Sequence, residues 1–125
     1  MKDILFKAKS TRDYSWKYGY LSWFGNIEGN RKFFINNDEV MTSTICQYVG
    51  VKDIEGKRIF DNDIVELSDC SRYVVQWCNY DCAYFLSNDE VDENETQPKL
   101  SFDLIQERKL KVVDNLLNFN TTIEE

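Results

Sequence analysis

The sequence predicts a mainly β protein: a small, partly closed, SH3-like barrel or roll with extra strands and little helix. Three observations carry this expectation. Apolar and polar residues alternate over short runs, which is the period of a half-buried strand. Gly, Asn and Asp clusters interrupt those runs, as tight turns do. Aromatic residues make up 14% of the 125 residues, a supply of rings that suits strands and interfaces. No long 3.6-residue period competes with these signals, and closing the sheet would hide its strand edges.

The elements follow in order. Ile4, Phe6 and Ala8 alternate with polar residues and predict a short strand. Tyr14, Trp16, Tyr18 and Tyr20 occupy every second position, so in a strand all four rings fall on one face, with Ser15, Lys17 and Gly19 on the other. Gly25-Asn26 and Gly29-Asn30 read as turns, and Phe33-Phe34-Ile35 as a strand. Residues 40–51 are apolar and β-branched enough for another. A turn around Gly56 and a tight turn at Asp61-Asn62-Asp63, with Asn62 left-handed, open a β-meander over residues 59–86. Its expected core contributors are Ile64, Val65, Val74, Val75 and Trp77. Residues 87–99 are acidic and polar and hold the single proline, which predicts an exposed loop. Leu100, Phe102 and Leu104 alternate and predict re-entry into the sheet. Residues 103–110 suit one or two helical turns, 110–113 a last strand, and 118–125 a frayed tail.

A chain of 125 residues fits one domain that buries its core without disulfide or metal. The net charge of −7 opposes direct nucleic-acid binding, which depends on neutralising phosphates. The charge is uneven: residues 1–35 hold seven basic and three acidic residues. No stretch approaches a membrane span, and the opening Met1-Lys2-Asp3-Ile4-Leu5-Phe6-Lys7 lacks a signal peptide's apolar run. These features predict a cytosolic chain with reduced cysteines.

The middle of the chain carries a longer pattern. Gln47-Tyr48-Val49-Gly50-Val51-Lys52-Asp53-Ile54-Glu55-Gly56-Lys57-Arg58-Ile59-Phe60-Asp61-Asn62-Asp63-Ile64-Val65 resembles the signature of the YopX family of bacteriophage and prophage proteins. Val74-Val75-Gln76-Trp77 resembles the strand that follows it there. Ile4-Leu5-Phe6-Lys7-Ala8, Trp16-Lys17-Tyr18-Gly19-Tyr20-Leu21 and Val112-Val113-Asp114-Asn115-Leu116 are similar to its outer segments. The departures are Asn62 and Asp114 where the pattern has glycine, and the acidic insert over 87–99. The resemblance implies an all-β fold and a phage or prophage origin, hence the host bacterial cytosol. It implies no particular activity.

The candidate sites each have two readings. The sequence has no histidine, so the commonest general base and metal ligand is missing. Asp53, Asp61 and Asp63 can form a carboxylate pair or a weak cation site, or they can serve as turn residues that bind nearby amides. Cys46, Cys70, Cys78 and Cys82 can supply thiolates for zinc, but their spacing suits free thiols better. Asp89, Glu90, Asp92, Glu93 and Glu95 can imitate DNA phosphates or simply solvate a loop. Tyr14, Trp16, Tyr18, Tyr20 and Trp23, near Arg12 and Lys17, form either a base-stacking platform or a core or protomer face.

The expectation is a non-catalytic phage accessory protein without cofactor or metal, which binds a protein partner or itself as a homo-oligomer. The alternatives are a nucleic-acid-associated protein that uses the basic, aromatic N-terminal third, and a small carboxylate-dependent enzyme.

Overall fold

The structure is a computed structural model and describes residues 4–25, 31–88 and 98–120. The described chain is mainly β, and one sheet curls as a half barrel, in line with the expected roll. The chain divides into two compact units, Met1–Tyr48 and Val49–Glu125.

The first unit contains β1 (Phe6–Lys9), β2 (Trp16–Gly19), β3 (Leu21–Phe24), β4 (Lys32–Ile35), β5 (Asp38–Val40) and the start of β6 (Cys46–Lys52). β1 pairs antiparallel with β2 along its length, and its Phe6 and Lys7 face Gln47 and Cys46 of β6. β4 is the centre of the sheet β3-β4-β5. A bridge between Ser10 and Val40 ties the end of β1 to β5. Ala8, Ile35 and Val40 form the buried core, with Phe6, Leu21, Phe33 and Ile45 packed on it.

The aromatic run is shorter as a strand than its alternation predicts. Tyr14 is left-handed (φ 60°) in the turn before β2, and Tyr20 lies between β2 and β3. The expected strand over 40–51 is also broken. Asn36 and Asn37 are both left-handed (φ 52° and 68°), the requirement of a two-residue hairpin turn matched to strand twist. That turn creates β5, which ends at Val40. A 3-10 turn follows at Thr42–Thr44. The Thr44 hydroxyl donates to the Met41 carbonyl (2.7 Å) and accepts from the Lys9 amide (2.8 Å), local bonds that compete with a strand ladder. Of the two expected glycine turns, residues 26–30 lie outside the described residues.

The second unit holds the rest of β6, then β7 (Arg58–Phe60), β8 (Asp63–Glu66), β9 (Arg72–Cys78), β10 (Ala83–Ser87), α1 (Phe102–Arg108), β11 (Lys111–Asn115) and a short α2 (Leu117–Asn120). The sheet order is β10-β9-β8-β11, and its neighbours are antiparallel. The meander therefore begins at β8, because β7 neighbours β6 instead. Gly56 (φ 83°) and Asn62 (φ 67°) take the left-handed turns expected of them. Ile59, Val65, Leu67, Val75, Leu86, Ile105, Leu110 and Val112 form the core.

Two expectations fail here for physical reasons. Of the expected core residues, Val65 and Val75 are in the core, whereas Ile64 and Val74, on the alternate positions of their strands, are only half-buried, and Trp77 is 49% exposed. It shares the face of Val75 but sits near the end of β9, beyond the core, edge-on to Tyr84 at 5.1 Å. Leu100, Phe102 and Leu104 do not form a strand. Only residues 98–100 run beside β10, through Leu86 amide to Pro98 carbonyl and Leu100 amide to Tyr84 carbonyl (2.8 and 2.9 Å). The Ser101 hydroxyl then accepts from the Leu104 amide (3.2 Å) and starts α1, the ordinary role of serine at a helix N-terminus. Asp114, which stands where the family pattern has glycine, lies at a register shift between Val112 and Asp114 in β11. The acidic stretch over 89–97 and the tail from 121 lie outside the described residues. No helix among the described residues is long and apolar enough to cross a membrane.

Candidate functional site

Register decides where the rings of the first unit point. Residues opposite one another in an antiparallel pair share a face of the sheet. Lys7 faces Tyr18 and Lys9 faces Trp16, whereas Phe6 faces Gly19 and Ala8 faces Lys17. Phe6 and Ala8 belong to the core cluster. Trp16 and Tyr18 therefore lie on the face away from that cluster, and Gly19 lies toward it. A Cβ on Gly19 would come within 3.3 Å of Ile35 Cγ2 and 3.1 Å of Asn36 Oδ1, so the close approach requires glycine. Asn36 Nδ2 donates to the Tyr18 carbonyl (3.1 Å) and fixes this corner.

The ring set is mixed in its surroundings. Tyr18 and Tyr20 are 53% and 71% exposed. Tyr14 and Trp23 are also exposed, and Phe24 in β3 joins them, a ring outside the sequence-derived set. Trp16 is half-buried, with the ammonium groups of Lys7 and Lys9 at 4.7 and 5.4 Å from its ring centroid. The Arg31 guanidinium lies 4.8 Å from the Trp23 ring. Such cation–ring contacts stabilise the charge while its stem packs on the surface. Arg12 and Lys17 both reach Asp38 (3.2 and 3.6 Å). Lys7, Lys9, Arg12, Lys17 and Arg31, five of the seven basic residues of the N-terminal third, are thus engaged with rings or a carboxylate of their own unit.

The three aspartates separate. Asp53 Oδ1 accepts from the Glu55 and Lys57 amides (2.9 and 2.8 Å), and its Oδ2 accepts from the Val112 amide (2.9 Å). Asp63 accepts from the Phe60 amide (2.7 Å) and from Asn115 Nδ2 (2.8 Å). Both carboxyl groups are buried and hold turns against β11. Asp61 is half-buried; burial pushes its carboxyl above the ordinary value, the Asn62 amide opposes the shift, and the Asp63 charge adds to it. This is turn chemistry, with Asn115 as a partner whose role nothing local in the sequence announces.

None of the four cysteines is in a disulfide; Cys46 is buried and its Sγ donates to the Thr44 carbonyl (3.4 Å), while Cys70 and Cys82 are exposed. Cys78 ends β9 and Cys82 lies in the following turn with φ 50°, so the two are not on one strand face. Among the described residues, no three acidic or cysteine side chains gather as a metal site requires.

A family model described as YopX protein matches residues 5–117. The chain belongs to the YopX family. No curated protein matches it. In this YopX chain, residues 47–65 contain Asp53, Gly56, Asn62 and Asp63, which all shape turns. The signature-like stretch over 47–65 is therefore architectural here, and the exposed rings from Tyr14 to Phe24 lie outside that stretch but within the matched residues. Phe24 and the backbone edge of β3 are the features that alternation alone does not reveal.

Proposed function

We propose that this YopX protein is a non-catalytic phage or prophage accessory protein of the host bacterial cytosol, acting by protein binding that includes self-association. The observation that carries the reading is the exposed ring surface of the first unit: Tyr18 points away from the unit's core, and Tyr20 remains 71% exposed. Exposed aromatics mark interfaces because they combine a large apolar area with few rotatable bonds. A nucleic-acid role is supported less. The cations that would meet phosphates already lie against Trp16 and Trp23, where bases would have to stack. A catalytic role is supported less because the buried carboxylates Asp53 and Asp63 are committed to backbone amides and Asn115.

The test is light scattering on the parent and on the double variant Tyr18→Ser, Tyr20→Ser. The parent should exceed the 14.8 kDa of one chain. The variant should show a lower mass at the same concentration and keep its melting temperature. A variant that associates as strongly as the parent would remove the rings from the account.

A further inference from the structure

β3 is the end strand of the sheet β3-β4-β5, so among the described residues no strand pairs with its outer edge. Edges of this kind are usually blocked by charge, proline or a bulge. Residues 20–24, Tyr-Leu-Ser-Trp-Phe, hold no charge and no proline, and β3 pairs with β4 in unbroken register. Ser22, Trp23 and Phe24 are all exposed, Phe24 by 69%. Neighbours hold the rings in place: Phe24 is edge-on to Phe34 at 5.5 Å, and Arg31 lies over Trp23. The edge is therefore apolar, unblocked and ordered by its own unit.

We propose that two copies of this chain join through β3, pairing antiparallel about a two-fold axis so that the sheet β3-β4-β5 continues into its twin. This rests on the reading that the protein self-associates. Charge and symmetry select a second copy as the occupant. An uncharged strand set against itself creates no like-charge pair. With Ser22 on the axis, Ser22 faces Ser22, Leu21 faces Trp23 and Tyr20 faces Phe24. Each pair then falls on one face of the joined sheet, as antiparallel register demands, and apolar groups meet apolar groups. The charge distribution favours the same place. The first unit has seven basic and five acidic residues, the second eight basic and seventeen acidic. Copies repel one another least through the first unit.

Sedimentation of the full chain and its variants tests the pairing. Ser22 is exposed and outside the core cluster, so Ser22→Lys and Ser22→Glu should fold, as circular dichroism and melting would verify. Each variant alone places like charges across the axis and should raise the dimer dissociation constant by about tenfold or more. An equimolar mixture of the two variants should regain the dimer mass, because lysine then faces glutamate. If each variant dimerises as tightly as the parent, β3 is not the joint, although self-association stands. If the single variants dissociate and the mixture does not recover, the Ser22-centred pairing is wrong. A parent that stays monomeric at every concentration overturns both the pairing and the self-association on which it rests.

Discussion

Asp53 shows how much of this fold hangs on single polar side chains. Its carboxylate serves two amides of its own turn and the amide of Val112, 59 residues further along. Asp53→Ala leaves the buried Val112 amide without its acceptor, so it should cost about 2–3 kcal/mol in urea unfolding. Asp53→Asn should cost less, because the amide oxygen still accepts. Asp61 works in the opposite sense. Burial raises its carboxyl above the ordinary range, so the folded chain holds a proton that the unfolded chain releases. Stability contributed by this group is present below the unfolded value of about 4 and is lost as pH rises through the higher folded value. Asp61→Asn should therefore gain stability relative to the parent at neutral pH, and the gain should vanish in acid. Equal urea midpoints for the two proteins at both extremes would contradict this. The four thiols carry their own expectation: a chelator should leave the melting temperature unchanged, and native mass spectrometry should show the bare chain.

At the scale of elements, capping and depth decide the outcomes. Ser101 starts α1 by accepting from the Leu104 amide, and Ser101→Ala should cost about 1 kcal/mol. Trp77→Ala should also cost only about 1 kcal/mol, since its ring is half exposed and rests on Tyr84 and Asn79. Leu86→Ala, wholly buried, should cost about 2–5 kcal/mol. Equal losses at Trp77 and Leu86 would show that the core extends to the end of β9. The contrast also explains what alternation can reveal. A period of two assigns Trp77 to the face of Val75, correctly, but says nothing of how far along the strand the core reaches. β7 and β8 are legible because Gly56 and Asn62 mark the left-handed turns that precede them. β5 is not, because Asn36-Asn37 acts as a hairpin turn only when paired strands confirm it. Three alternating residues from Leu100 to Leu104 suit a strand and a capped helix equally, and the Ser101 hydroxyl settles the choice. The ring face is half legible: alternation groups Trp16 with Tyr18, whereas only the register with β1 shows that the group turns away from Phe6 and Ala8.

For the whole molecule, the family match takes in both units, over residues 5–117, whereas charge separates them. The segment most like the YopX signature builds turns, while the least acidic third carries the exposed rings and the open edge of β3. That division is what an association surface requires: a stable scaffold on one stretch of sequence and an unblocked apolar edge on another. Self-association through the first unit is the central claim. Hydrogen–deuterium exchange of the parent protein, compared between dilute and concentrated solution, tests it most directly, because it reads both whether copies meet and where. The account predicts that amides in residues 20–24 exchange more slowly as concentration rises, while those of β8 and β9 do not change. Exchange that is independent of concentration throughout, or protection gained only in the second unit, would contradict it.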